Sequence, residues 1–233
     1  MKAKLVKKII EAKGTTSFYF EPEKKVSWLP GQYFYFTLPK LDFPDTRGAT
    51  RHFTISSSPT ESKLLRLTTR LRQESGYKKT LDALPLGSVV DIEGPNGTLI
   101  LDEQENSAKH ILLAGGIGIT PFRAFIKHSI DRKLQIPMYL IYSNGSSDFA
   151  FKKDLEKWDK DNEFIKVNFF DTSKSGHLDA VILQKLIPDS KFQIPNSTFW
   201  LVGPPPFIDA MEKVLEGMKI PSGNIRSEKF TGY

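Results

Sequence analysis

Arg51-His52-Phe53-Thr54-Ile55-Ser56-Ser57-Ser58-Pro59 is a short β-type run that opens on a cation and is closed by a proline. Alternation along a strand puts Arg51 and Phe53 on one face. Taken alone, the run reads as an ordinary half-buried strand with an exposed arginine. Its neighbours give it meaning. Pro30-Gly31-Gln32-Tyr33-Phe34 precedes it, and Ala114-Gly115-Gly116-Ile117-Gly118-Ile119-Thr120-Pro121 follows.

Outward from this run, residues 1–100 read as short strands broken by turns. Strands are predicted over 5–12, 15–20, 32–38, 51–56, 64–70 and 89–93, with turn signals at Pro30-Gly31 and Pro95-Asn96-Gly97. Six short strands in so small a region predict an antiparallel barrel. A helix is predicted over 76–84, stopped before Pro85. Beyond residue 106 the pattern changes to alternating strands (110–114, 138–143, 164–170, 198–202, 225–230) and helices (from 121, then 149–160, 178–187 and 207–218). Phe151, Leu155 and Trp158 are expected on one face of the second of these helices. Such alternation predicts a parallel sheet wrapped by helices. The polar stretch Asp102-Glu103-Gln104-Glu105-Asn106-Ser107 is the expected boundary.

Composition narrows the function. The chain has 233 residues, 39% of them hydrophobic and 17 of them Phe, enough to fill a real core. There is no cysteine, which excludes disulfides, thiolate zinc sites and iron–sulfur clusters within these residues. No metal site is expected. No apolar run reaches the roughly 18 residues of a membrane span. Lysines interrupt the start, so it reads as a strand rather than a signal peptide, and a cytoplasmic location is expected. The net charge is +6, scattered rather than clustered, and no nucleic-acid-binding motif accompanies it.

Gly115, Gly116 and Gly118 end an apolar strand and open a helix. Thr120 suits the N-cap and Pro121 the first helical position, where its missing N–H costs nothing. Glycines let the backbone approach a ligand, and the helix start offers N–H groups and a positive dipole end to a pyrophosphate. The pattern departs from the dehydrogenase fingerprint, since Pro121 stands where a third glycine is expected.

In this order and spacing the three segments resemble the ferredoxin–NADP⁺ reductase-like flavoprotein superfamily, over nearly the whole chain. The resemblance implies a two-domain β plus α/β fold. Residues 1–104 would form a six-stranded antiparallel FAD-binding barrel, and residues 107–233 a parallel α/β domain for NAD(P)H. Arg51-His52-Phe53-Thr54 resembles the Arg-x-Tyr-Ser motif. Arg51 would grip a flavin phosphate, Phe53 would lie against the ring or ribityl chain, and the hydroxyl of Thr54 would sit at the reactive edge. Further flavin contacts would come from Thr68 and Arg70 and from the helix start at Gly76, Tyr77, Lys78 and Thr80. Phe199-Trp200-Leu201-Val202-Gly203-Pro204 resembles the Cys-Gly-Pro segment beside the nicotinamide. Val202 replaces the Cys, leaving Gly203 and Pro204 as nucleotide contacts. Near the C-terminus, Glu228 or Phe230 would gate nicotinamide access, though Phe230 reads equally well as core.

The implied activity is hydride transfer from NAD(P)H to FAD, with electrons leaving to a separate acceptor such as ferredoxin or flavodoxin. The chain is expected to act as a monomer with an acidic carrier as partner, as its positive charge suits. Competing readings are an electron-transfer subunit of a multicomponent oxygenase or dehydrogenase and a non-redox nucleotide-binding protein. No arginine lies between Tyr142 and Lys153, where a 2′-phosphate clamp is expected, so NADH should serve at least as well as NADPH.

Overall fold

The computed structural model describes residues 1–104, 109–187 and 197–231. Part of the expected boundary stretch, and the last two residues, lie outside them. The chain divides into two compact units. One comprises residues 1–101 together with 123–128, and the other is the remainder.

The first unit is built on strands β1 (Lys2–Ala12), β2 (Thr15–Pro22), β3 (Tyr33–Thr37), β4 (Thr50–Thr54), β5 (Leu65–Arg70) and β6 (Val89–Asn96). Their order is β4-β3-β6-β1-β2-β5, with every neighbouring pair antiparallel. A bridge between Ile55 and Leu67 brings the two ends of the sheet together, which bends it towards the expected barrel. Period-2 alternation fills its interior: in β3, Phe34 and Phe36 are buried while Tyr33 and Tyr35 are only half-buried. Helix α1 (Gly76–Ala83) caps this interior with Tyr77, whose hydroxyl donates to the Phe36 carbonyl at 2.9 Å.

The second unit holds five parallel strands, β7 (Lys109–Gly115), β8 (Met138–Asn144), β9 (Ile165–Asp171), β10 (Ser197–Gly203) and β11 (Ile225–Lys229). Helices α2 (Ile119–Arg132), α3 (Lys152–Asp161), α4 (Thr172–Ser175), α5 (Ala180–Leu186) and α6 (Pro205–Gly217) connect them. The strand order is β11-β10-β7-β8-β9. The chain therefore runs outward from β7 on one side and returns to β7's other side with β10. That reversal creates a crevice at the carboxyl ends of β7 and β10, the usual ligand position in open α/β sheets.

Three local expectations change. The first turn before α2 is a 3₁₀ turn over Gly116–Gly118, so the α-helix is capped by Gly118 rather than Thr120. Thr120 instead donates its hydroxyl to the Ile117 carbonyl at 3.1 Å, and Pro121 stands third in the helix, still among the N–H groups without an intrahelical acceptor. Phe151 is not on the face of α3. It precedes the helix in the left-handed region (φ 61), and only Leu155 and Trp158 are buried from α3. The third change is α4, a single turn that the sequence pattern does not announce; the carboxylate of Asp171 caps it.

Candidate functional site

In the first unit the expected flavin residues gather around the start of α1, but most already bind protein. Nη1 of Arg51 donates to the carbonyls of Arg47 (2.8 Å), Gly48 (3.0 Å) and Thr50 (2.7 Å). Nη2 donates to Asp45 Oδ1 at 2.5 Å, and the guanidinium lies over the Tyr77 ring. The other oxygen of Asp45 accepts from the Tyr77 N–H (2.9 Å) and the Ser75 hydroxyl (3.2 Å). Burial alone would raise the Asp45 pKa. The N–H groups of Tyr77 and Arg47, the charge of Arg51 and the Ser75 hydroxyl outweigh it and hold the carboxyl below its ordinary range.

Gly76 is explained by the same approach. A Cβ there would stand 2.1 Å from the Pro44 carbonyl oxygen and 2.6 Å from that of Phe43. Thr80 accepts from the Asp42 and Phe43 N–H groups and donates to the Gly76 carbonyl, so its hydroxyl ties the segment before β4 to the helix. Two of the backbone N–H groups expected to meet a phosphate have acceptors within the protein. The Tyr77 N–H goes to Asp45 and the Lys78 N–H to the Ser75 hydroxyl.

Lys78 is almost fully buried, and its ammonium donates to the Arg70 carbonyl at 2.9 Å. Burial first, then the neighbouring positive charges of Arg72, Arg70 and Arg47, lowers its pKa to about 8 against the smaller opposing effect of Glu74. Arg47, Arg51, Arg70, Arg72 and Lys78 thus form a cationic group at one end of α1. The side chain of Arg70 is exposed at its rim.

Two further residues sit differently from expectation. Phe53 is buried in the core against Phe36 and Tyr77, because it shares the inward face of β4, so its ring is not open to a flavin. The aromatic surface at this strand pair is His52 with Tyr33 and Tyr35, at ring distances of 5.0 and 5.6 Å. His52 is half-buried, and burial together with the charge of Arg47 lowers its pKa. Thr68 is also inside. Its hydroxyl joins those of Ser17 and Ser56, each at 2.7 Å, in a buried chain. Thr54 is buried at the end of β4, opposite Tyr33.

In the second unit the glycine turn lies at the carboxyl end of β7. A Cβ on Gly115 would meet the Phe207 ring at 2.6 Å, and one on Gly118 would meet the Val202 carbonyl oxygen at 2.1 Å. Gly115 lets the turn pack on α6, and Gly118 lets it pack on the end of β10. Gly116 differs: its φ is +55, and a Cβ there would meet nothing within 4 Å among the described residues. Gly203 and Pro204 continue from β10 into α6, where Pro204 is the N-cap and Pro205 takes the first position. The residues expected at the nucleotide thus do converge on the strand-order reversal. Glu228 pairs with Val202 across β10–β11, and burial raises its pKa. The Phe230 N–H donates to the Gly203 carbonyl at 2.8 Å and its side chain is buried, which places it as core.

Sequence reasoning missed two carboxylates. Asp45 carries no motif, since its partners lie six and about thirty residues away. Asp171, in register with Asn144 at the carboxyl edge of β8–β9, is visible only once the strands are paired.

An antiparallel sheet unit with a cationic helix start, and a parallel unit with a glycine turn at its strand-order reversal, define a flavin- and nicotinamide-handling class of oxidoreductase. The sequence comparisons agree. The oxidoreductase FAD-binding domain family matches residues 2–100 and the oxidoreductase NAD-binding domain family matches residues 112–213. A flavohemoprotein of Oceanobacillus iheyensis is 27% identical over 97% of this chain and 58% of its own length. Among solved structures, the cytochrome b5 reductase domain of Ulva prolifera nitrate reductase superposes with a TM-score of 0.80 at 20% identity, covering 97% of this chain and 96% of that one. The ferredoxin–NADP⁺ reductase of Plasmodium falciparum superposes with a TM-score of 0.79 at 18% identity, covering 98% and 95%. The chain thus carries an oxidoreductase FAD-binding domain followed by an oxidoreductase NAD-binding domain, in the fold of these reductase structures. It spans 58% of the length of the flavohemoproteins of Oceanobacillus iheyensis and Dictyostelium discoideum that it matches.

The residues present fit FAD in kind. The cationic group at α1 suits a pyrophosphate, and the His52, Tyr33 and Tyr35 rings offer a partly exposed aromatic surface. Among the described residues no cluster of metal-ligating side chains occurs, and no helix is long and apolar enough to cross a membrane.

Proposed function

We propose that the chain takes hydride from a reduced nicotinamide nucleotide and delivers electrons through FAD to a separate carrier. The observation that supports this most is the succession of an FAD-binding and an NAD-binding domain over 2–100 and 112–213 in a chain without cysteine. Bound FAD supplies the hydride acceptor and the outlet for electrons. The protein's part is binding and orientation. Residues 1–104 act as the flavin domain and residues 107–233 as the nucleotide domain. Arg51, with Arg70, Tyr77 and Lys78, holds flavin phosphate, and the Thr54 hydroxyl orients the reactive edge. Gly116 gives the nucleotide backbone access at the turn, while Gly115, Gly118 and Gly203 shape the crevice. Glu228, whose pKa is raised by burial, limits the far side of that crevice.

The acceptor is an acidic one-electron carrier that docks transiently on a chain of charge +6. Relatives named flavohemoprotein favour a haem protein over ferredoxin or flavodoxin for that carrier. The chain works as a monomer in this reading. The test is stopped-flow reduction of the flavin by NADH and NADPH, then turnover with an acidic haem protein, ferredoxin or flavodoxin and with a neutral quinone. The purified protein should be yellow. Carrier turnover should fall steeply between low and physiological ionic strength while quinone turnover should not. A colourless protein defeats the reading, and equal salt dependence for both acceptors defeats the docking.

A further inference from the structure

The Asp45 carboxylate makes the contacts that an anion at the start of α1 would make. It accepts a charge-assisted bond from Arg51, the second N–H of the helix through Tyr77 and the N-cap hydroxyl of Ser75. We propose that Asp45 is a built-in stand-in for a flavin phosphate, competing with the FAD pyrophosphate for Arg51 and the α1 N-terminus and so setting cofactor affinity. This rests on the reading that FAD binds at that group.

The competition has a structural path. Asp45 belongs to the segment between Thr37 and Thr50, which is outside the sheet. Besides the bonds of Asp45 itself, side chains of α1 reach this segment. Among these ties are the Thr80 hydroxyl on the Asp42 and Phe43 N–H groups, the Lys79 ammonium over the Phe43 ring, and the close approach permitted by Gly76. Release of these ties would withdraw the carboxylate and free Arg51 and the Tyr77 N–H together.

It also has a driving force. The charges of Arg47, Arg70 and Arg72 act on Lys78, beside the Arg51–Asp45 pair. A pyrophosphate brings more negative charge and more acceptor oxygens to the same donors. Asp45 would keep the group organised until the cofactor arrives, at the expense of affinity.

The test uses protein stripped of flavin and titrated with FAD, and separately with riboflavin, by quenching of flavin fluorescence. Asp45→Asn should bind FAD about ten-fold more tightly than the unaltered chain, the scale of one charge-assisted hydrogen bond. Riboflavin, which has no phosphate, should bind both equally. Thr80→Val, which loosens the segment without touching Asp45, should move FAD affinity in the same direction and decides the matter if Asp45→Asn does not fold. Arg51→Ala should weaken FAD binding. If the unaltered chain binds FAD but neither Asp45→Asn nor Thr80→Val tightens it, competition is overturned and the functional reading stands. If the unaltered chain binds no flavin, both fall.

Discussion

Gly118 lies against the end of β10 so closely that a Cβ on it would stand 2.1 Å from the Val202 carbonyl oxygen. The glycine turn is thus first a packing device and only at Gly116 an open approach. The two roles make different predictions. Gly118→Ala must push the turn off β10 and should destabilise the protein by roughly 1–3 kcal/mol, as overpacking of a tight site does. Gly116→Ala meets no neighbour among the described residues and bears the strain of its left-handed backbone, about 1 kcal/mol. Thermal or denaturant unfolding of the two variants measures the difference. Equal losses would mean that the close approach at Gly118 is not what glycine serves there.

Asp45 links the start of α1 to pH. Its carboxyl is held below the ordinary value of 3.8 when folded, so the unfolded chain binds its proton first as pH falls. Its contribution to stability is therefore complete above about pH 3.8 and lost as pH drops through the lower folded value. The stability difference between the unaltered chain and Asp45→Asn should be constant near neutrality and shrink below that pH. Denaturant unfolding at several pH values checks this. A difference that grows as the solution is acidified would reverse the sign and contradict the contacts at Asp45.

Thr54→Ala should slow flavin reduction by the nicotinamide nucleotide more than it weakens FAD binding. Thr54 ends β4, next to the Ile55 bridge that joins the two ends of the sheet. Single-turnover reduction and fluorescence titration separate the two effects. An unchanged reduction rate removes Thr54 from the reaction.

NADH should be used at least as well as NADPH. Asp171 stands in register with Asn144 at the carboxyl edge of β8–β9, where a 2′-phosphate would meet its charge. Lys152, a candidate clamp, is already over the Phe169 ring and paired with Glu156 at 3.7 Å. Asp171→Asn should improve NADPH use relative to NADH by about five-fold, matching roughly 1 kcal/mol for one like-charge contact near water. Reduction kinetics with both nucleotides decide it, and a strong NADPH preference in the unaltered chain would end the argument.

Local order was legible from residues alone. Alternation of Phe34 and Phe36 with Tyr33 and Tyr35 marks a half-buried strand, and the change to alternating strands and helices marks the second unit. Those signals are periodic, so they survive without knowledge of what the elements touch. The glycine turn and the Gly203-Pro204 turn were legible too, because backbone conformation restricts which residues can stand there. What the cations at α1 bind was not. Arg51 read as a phosphate ligand because a guanidinium suits one, yet the same donors suit a carboxylate equally. Only the folded path of the segment before β4 brings Asp45 to them. Likewise Phe53 and His52 are neighbours on one strand, and tertiary packing against Tyr77 decides which of them is buried in the core. Pattern determines which face a residue takes; the element packed on that face determines whether it meets protein or ligand.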